Sequence, residues 1–172
     1  GLENKIGELK ASLFQSTDSL KFVTHTELLD ALIESNLNIS EIYPEMESYL
    51  SQYVYMEDVV LDSIDNHYFN IDIKTKDSPL WYDLLIPSMN YMGAISLKGH
   101  YNDRKRNLDI FLKTDSVNYA GIVVDTLNFR VNGNKNKLSA GIRADKIESS
   151  LVYLSSPVMD FNFANDTAAI EI

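Results

Sequence analysis

Apolar and polar residues alternate with period two through most of this chain, and the alternating unit returns several times. Phe69, Ile71 and Ile73 alternate with Asn70, Asp72 and Lys74; Leu108, Ile110 and Leu112 alternate with Asp109 and Lys113, although Phe111 breaks the polar side. Further on, Leu127, Phe129 and Val131 interleave with Asn128 and Arg130, then Leu138, Ala140, Ile142 and Ala144 with Ser139, Gly141, Arg143 and Asp145. Met159, Phe161 and Phe163 close the series around Asp160 and Asn162. Neighbouring side chains of a strand point to opposite faces, so each run buries one side and wets the other. The expected fold is mainly β, antiparallel, with one dry face.

Polar turns separate the runs: Asp65-Asn66-His67, Asn102-Asp103-Arg104-Lys105-Arg106, Asn132-Gly133-Asn134-Lys135-Asn136 and Asn165-Asp166. Asn, Asp and Gly tolerate positive φ and bond their own backbone, as tight hairpins require. The runs superpose. Leu108–Asp115 aligns with Leu138–Asp145 thirty positions on, and Phe69–Lys76 lies thirty-nine positions before the first. All three units carry a basic residue at the sixth place, and each is followed by another strand, at Ile95-Leu97, Leu127-Phe129 and Met159-Phe161. These are degenerate copies of one hairpin-plus-connection module.

The first third fits that module less well. Residues 1–27 read as one hairpin, with Leu9, Ala11 and Leu13 facing Leu20, Phe22 and Thr24 around Gln15-Ser16-Thr17-Asp18. Residues 28–53 read as helical: Leu28, Leu32 and Ile33 suggest a short helix, and Ser40 ahead of Glu41 suggests the N-cap of a second. Pro44 is then tolerated in that helix's first turn. A third helix is expected from Ser78-Pro79 through Leu80, Trp81, Leu84 and Leu85, in the connection over 78–90. Residues 54–172 carry the hairpin repeats. The whole, 1–172, reads as a single piece of a larger repeat protein, its start at Gly1-Leu2-Glu3 suggesting an excised segment.

Charge and composition exclude several classes. Twenty-five acidic residues against fifteen basic give a formal charge of −10, which repels phosphate backbones, so nucleic acid is not an expected partner. Absent cysteine removes disulfides, thiol nucleophiles and thiolate metal sites. His25, His67 and His100 fall in different turns or strand ends and lack the spacing of converging metal ligands, so each is expected to be solvated. Glu57-Asp58, adjacent on a strand, would point to opposite faces and could not share a substrate. No nucleophile elbow, phosphate loop or dinucleotide fingerprint occurs, and no calcium loop ends in its bidentate glutamate. No enzyme, cofactor or metal is expected. Tyr49, Tyr53, Tyr55, Trp81, Tyr82 and Tyr91 crowd the helical and connecting parts, where they read as seals over an amphipathic interface.

The hairpins Asn107–Ser116 and Tyr119–Val131, the turn Asn-Gly-Asn-Lys-Asn, Leu138 onward, and Met92–Asp103 together resemble the TamB group of AsmA-like envelope proteins (the translocation and assembly module family), in a form like that of Bacteroides-group members. The resemblance covers about Val59 to Ile172. It implies a periplasmic stretch of a parent anchored in the inner membrane by a segment outside this chain. It also implies a long curved sheet folded into an open, taco-shaped apolar groove. Such proteins are implicated in outer-membrane biogenesis, through phospholipid transport and through a partner that assembles outer-membrane proteins; no catalytic residues carry over.

On that basis the groove lining is expected to be Ile71, Ile73, Leu97, Ile110, Leu112, Leu127, Phe129, Ile142 and Phe161, with phospholipid acyl chains as the partner. The rival expectation is a closed β-sandwich whose same residues form an ordinary core, serving interaction or adhesion. A sugar-binding reading requires several of Tyr53, Tyr55, Trp81 and Tyr91 to share one exposed face. Which side Ile122-Val123-Val124 presents stays open, because the run is apolar on both sides.

Overall fold

The structure is a computed structural model that describes residues 10–16, 18–53, 66–78, 88–164 and 167–171. Within them lie thirteen strands in one antiparallel sheet that does not close, and one helix. The strands are β1 (Lys10–Ser16), β2 (Ser19–His25), β3 (Leu29–Ser35), β4 (Tyr68–Thr75), β5 (Met89–Met92), β6 (Ile95–Asn102) and β7 (Asn107–Tyr119). They continue with β8 (Ile122–Asn134), β9 (Lys137–Arg143), β10 (Lys146–Glu148), β11 (Tyr153–Ser155), β12 (Val158–Ala164) and β13 (Thr167–Glu171). The helix α1 (Ile39–Ser51) follows β3. Ten strands lie side by side in the order β1-β2-β3-β4-β6-β7-β8-β9-β12-β13. The expected mainly β architecture of repeated hairpins is present; a sandwich of two packed sheets is not formed by the described residues.

The repeat in the sequence becomes a register in space. Phe69, Leu108 and Leu138, first in their aligned units, stand in one cross-strand row, Phe69↔Tyr101↔Leu108↔Gly133↔Leu138. Third positions Ile71, Ile110 and Ala140 share the next row, and fifth positions Ile73, Leu112 and Ile142 the one after. A one-residue slip would turn each strand's apolar set to water, so the alternation itself pins the pairing.

Near its far end the sheet carries a tongue. Beyond Thr114, β7 and β8 run on together as a hairpin closed by Ala120 and Gly121, both at positive φ (50° and 82°), the backbone a two-residue turn needs to match strand twist. β5 pairs with β7 on one side; on the other, β10 pairs with β8, and β11 with β10. Ile122, Val123 and Val124 lie in this tongue, separated from the rest of β8 by Thr126 at φ 53°. Val124 stands in a row with Val117, Ile147 and Leu154, whereas Val123 stands with Asn118, Glu148 and Tyr153. Both faces of the run are thus used.

Three expectations from the sequence need correction. The helix expected over Leu28–Ile33 is strand β3, bonded to β2 and β4 on either side. Leu29, Ala31 and Ile33 face one way and Asp30, Leu32 and Glu34 the other; the short apolar run fits both periods, and two flanking ladders decide it. The helix beginning in residue 40's vicinity is capped by Asn38, whose backbone N–H donates to the Glu41 carboxylate at 2.7 Å, not by Ser40. Pro44 consequently sits in the second turn, counting from Ile39, and leaves the Ser40 carbonyl without its intrahelical donor. Finally, Gly133 is not a turn residue. The β8–β9 turn is Lys135-Asn136, held by the Asn134 side chain, which accepts from the Asn136 and Lys137 N–H groups at 2.9 and 3.2 Å. The helix expected from Ser78, Asp65 of the first turn, Glu57-Asp58 and the Asn165-Asp166 turn lie outside the described residues, apart from Ser78 itself and Met89-Asn90, which open β5.

Candidate functional site

Side chains directly opposite each other in a ladder share a face, so the pairings assign every position of the sheet. One row reads Leu13, Phe22, Ile33, Ile71, Gly99, Ile110, Val131, Ala140, Phe161, Ile170 across all ten strands without a polar residue. The adjacent row reads Ala11, Thr24, Ala31, Ile73, Leu97, Leu112, Phe129, Ile142, Met159, with Thr24 its one polar member. Eight of the nine residues expected to line a groove stand in these two rows. Leu127 belongs to a third, with Ile95 and the threonines Thr75 and Thr114, where the apolar surface ends. All nine share one face, and all are half-buried. Strand spacing of about 4.8 Å makes the ten-strand row about 43 Å long.

Sequence reasoning missed Ile33 and Ile170 as members of this face, and read Val131, Leu13 and Phe22 as apolar strand positions without counting them in the lining. The signal was present in the Leu29-Ala31-Ile33 alternation, obscured by the equally apolar Leu32.

One end of the face is closed by α1. The fully buried cluster is Tyr49, Tyr53, Phe69, Tyr101, Leu108 and Leu138, with Met46 and Leu50 packed against it from the helix. Tyr49 meets Tyr53 and Tyr101 edge-on at ring centroids of 5.5 and 5.2 Å, and Phe69 stacks on Tyr101 at 5.3 Å. Each hydroxyl has a partner, as buried tyrosines require. Tyr53 donates to the Asn134 carbonyl and accepts from the Tyr49 hydroxyl at 2.8 Å, and Tyr101 donates to Glu45 at 2.5 Å. Burial pushes the Tyr49 and Tyr101 hydroxyls well above the usual phenol range; for Tyr101 the Glu45 hydrogen bond and charge add to it. Tyr49 and Tyr53 therefore seal an interface, as expected, and Tyr53, being buried, is not part of an exposed aromatic face, whereas Tyr91 is exposed. Tyr55, Trp81 and Tyr82 lie outside the described residues.

The opposite face is wet and its charges are paired across strands. Lys98 meets Asp72 at 3.4 Å, Arg130 meets Asp109 at 3.2 Å, and Arg143 reaches Asp160 at 3.0 Å. Phe111, the residue that breaks the polar pattern, stands between Lys98 and Arg130 in register. With Leu32 it borders a shallow basin of about 540 Å³ above Asp72 and His100.

His25 and His100 are exposed, bonded to Asp30 and Asn70. His67 departs from the solvated expectation. It is half-buried, its Nδ1 2.9 Å from the Glu45 carboxylate that also receives Tyr101, so it joins strand β4's entry to α1. Arg104 and Lys105 are exposed in the β6–β7 turn as expected, whereas Arg106 reaches the buried Asp103 at 3.4 Å. Among the described residues no group of histidines and carboxylates could hold a metal ion, and no helix is long and apolar enough to cross a membrane. No protein-family model, curated protein or solved structure matches the chain.

Proposed function

We propose that this chain shields lipid acyl chains along its apolar ladder face, as a periplasmic segment of a TamB/AsmA-like bridge serving outer-membrane biogenesis. The observation that supports it most is the pair of adjacent apolar rows running across nine or more strands with a single polar interruption. An ordinary core needs only as much apolar face as its cover. Here the fully buried cluster is confined to the α1 end, while Ile71, Ile110, Phe129, Ile142 and Phe161 stay half-buried.

A phospholipid chain of ~15 methylenes crossing water exposes apolar surface worth on the order of 10 kcal/mol. A continuous apolar strip removes most of that barrier, and a strip of about 43 Å is long enough to lie along one extended acyl chain. Shielding of this kind needs no catalyst and no cofactor. Transfer between the inner and outer membranes, with an outer-membrane assembly partner, would be the work of the longer parent.

The test is photo-crosslinking. Purified chain carrying probes at Ile110, Phe129 or Phe111 is mixed with a photoactivatable phospholipid. Label is expected at Ile110 and Phe129 and not at Phe111, on the other face. No label at the first two, beside good labelling of a known lipid carrier, or equal label at all three, overturns the proposal.

A further inference from the structure

Among the described residues, the tongue ends in a surface built by three segments without an ionisable acidic or basic side chain. Three segments meet there: 88–92 from β5, 117–124 from the β7–β8 turn, and 149–154 from the β10–β11 turn. None of their nineteen residues is Asp, Glu, Lys or Arg, where the chain's average of 23 % would place about four. Large apolar side chains are exposed instead. Leu151 is 91 % exposed, Tyr153 65 %, Val152 49 %, and Tyr119, Ile122 and Leu154 nearly half. Small polar groups fill the gaps, with Asn90 bonded to Asn118 at 3.1 Å and Ser149 accepting from the Leu151 and Val152 N–H groups. Of the nearest charges, Asp125 and Glu148 are both tied to Lys146 at 3.1 Å, and Asp77 accepts from the Tyr91 hydroxyl at 3.3 Å.

We infer that this tip is a contact for the surface of a zwitterionic lipid bilayer. Its form favours that occupant over a peptide or helix: among the described residues it is a projecting edge of turns rather than a groove. Its chemistry does too, since tyrosines with aliphatic neighbours and small polar groups are the residues that settle at the headgroup boundary, where ionised side chains are disfavoured. Exposed apolar clusters of this kind mark interaction surfaces. The rest of the molecule, at −10, is repelled by anionic lipid, so the uncharged tip is the part that can approach a neutral membrane. Eleven residues separate Leu108 from Tyr119 along β7, which puts the tip about 36 Å from the α1 end. Binding therefore holds the sheet end-on. It stands whether or not the apolar rows carry lipid.

Flotation with phosphatidylcholine vesicles tests it. The chain is expected to float with the vesicles equally at low and high salt. The double variant Leu151→Glu, Ile122→Glu is expected to lose binding by about tenfold or more. The control Ile39→Glu, Tyr43→Glu, which removes comparably exposed apolar side chains from α1 at the other end of the sheet, keeps it. A second readout needs no disruptive change. Leu151→Trp in a Trp81→Phe background shifts its emission to the blue when vesicles are added. Wild type that stays unbound, equal losses in both double variants, or a tip that pairs two copies of the chain in vesicle-free sedimentation would each overturn the inference.

Discussion

Gly133 shows how much one side chain's absence decides. It lies in the middle of the row Phe69–Tyr101–Leu108–Gly133–Leu138, and the Tyr49 hydroxyl occupies the space its Cβ would take. Its backbone is ordinary strand; what the site needs is room for the ring descending from α1. We expect Gly133→Ala to cost about 1–3 kcal/mol, the usual toll of overpacking a filled site. Adding Tyr49→Phe should recover part of that loss, because the oxygen nearest the new methyl is gone, so the two changes are not additive. Urea denaturation of the two single variants and the double variant measures the coupling; strict additivity would contradict it. In the sequence Gly133 reads as turn chemistry because it sits among asparagines. Nothing local distinguishes a glycine that bends from a glycine that yields space.

At the scale of elements, α1 is the piece whose edges matter most. Glu41 accepts the Asn38 N–H, and that hydrogen bond, with the Asn38 side chain's, holds its carboxyl below the usual glutamate range. A folded-state value lower than the unfolded one gives stabilisation that is full above the ordinary pKa of 4.5 and is lost as pH falls from there through the lower folded-state value. The wild-type helix cap should accordingly weaken as pH falls below about 4.5, and Glu41→Gln should lower stability at about pH 7 with the difference closing in acid, once the Glu41 carboxylate is protonated in the folded state too. Thermal unfolding across that range checks it; a difference that persists in acid would show that the carboxylate's charge is not what the cap uses. The motif Asn38-x-x-Glu41 is legible in the sequence, yet Ser40 looks the better cap until the helix start at Ile39 is known. Strand β3 makes the same point. Leu28, Leu32 and Ile33 fit a helix taken alone, and only two bonded neighbours make them a strand.

For the whole molecule, the consequence of one sheet with two unlike faces is that adjacent residues answer differently to the same change. Ile110 stands in the apolar row and Phe111 on the wet face between Lys98 and Arg130. Ile110→Lys should cost about 1–3 kcal/mol, since it places a charge among half-buried aliphatic neighbours, while Phe111→Lys should stay within about 1 kcal/mol of wild type. Comparing their urea midpoints decides it, and equal losses would mean the two faces are not distinct. The ion pairs of the wet face contribute little of this contrast, being exposed and screened.

What the sequence determined alone was the sidedness of the sheet and its repeat. Period-two alternation permits only one assignment of faces in a strand, and the offsets of thirty and thirty-nine residues carry that assignment from one hairpin to the next. What the tertiary structure decided was everything that depends on a neighbour distant in the chain. It set β3 as a strand, kept the sheet a single open layer, placed His67 and Tyr101 together on Glu45, and gathered three uncharged segments at one tip. The physical reason is the range of the forces involved. Alternation is written residue by residue, whereas ladder partners and cross-sheet packing are chosen only when distant segments compete for the same edge.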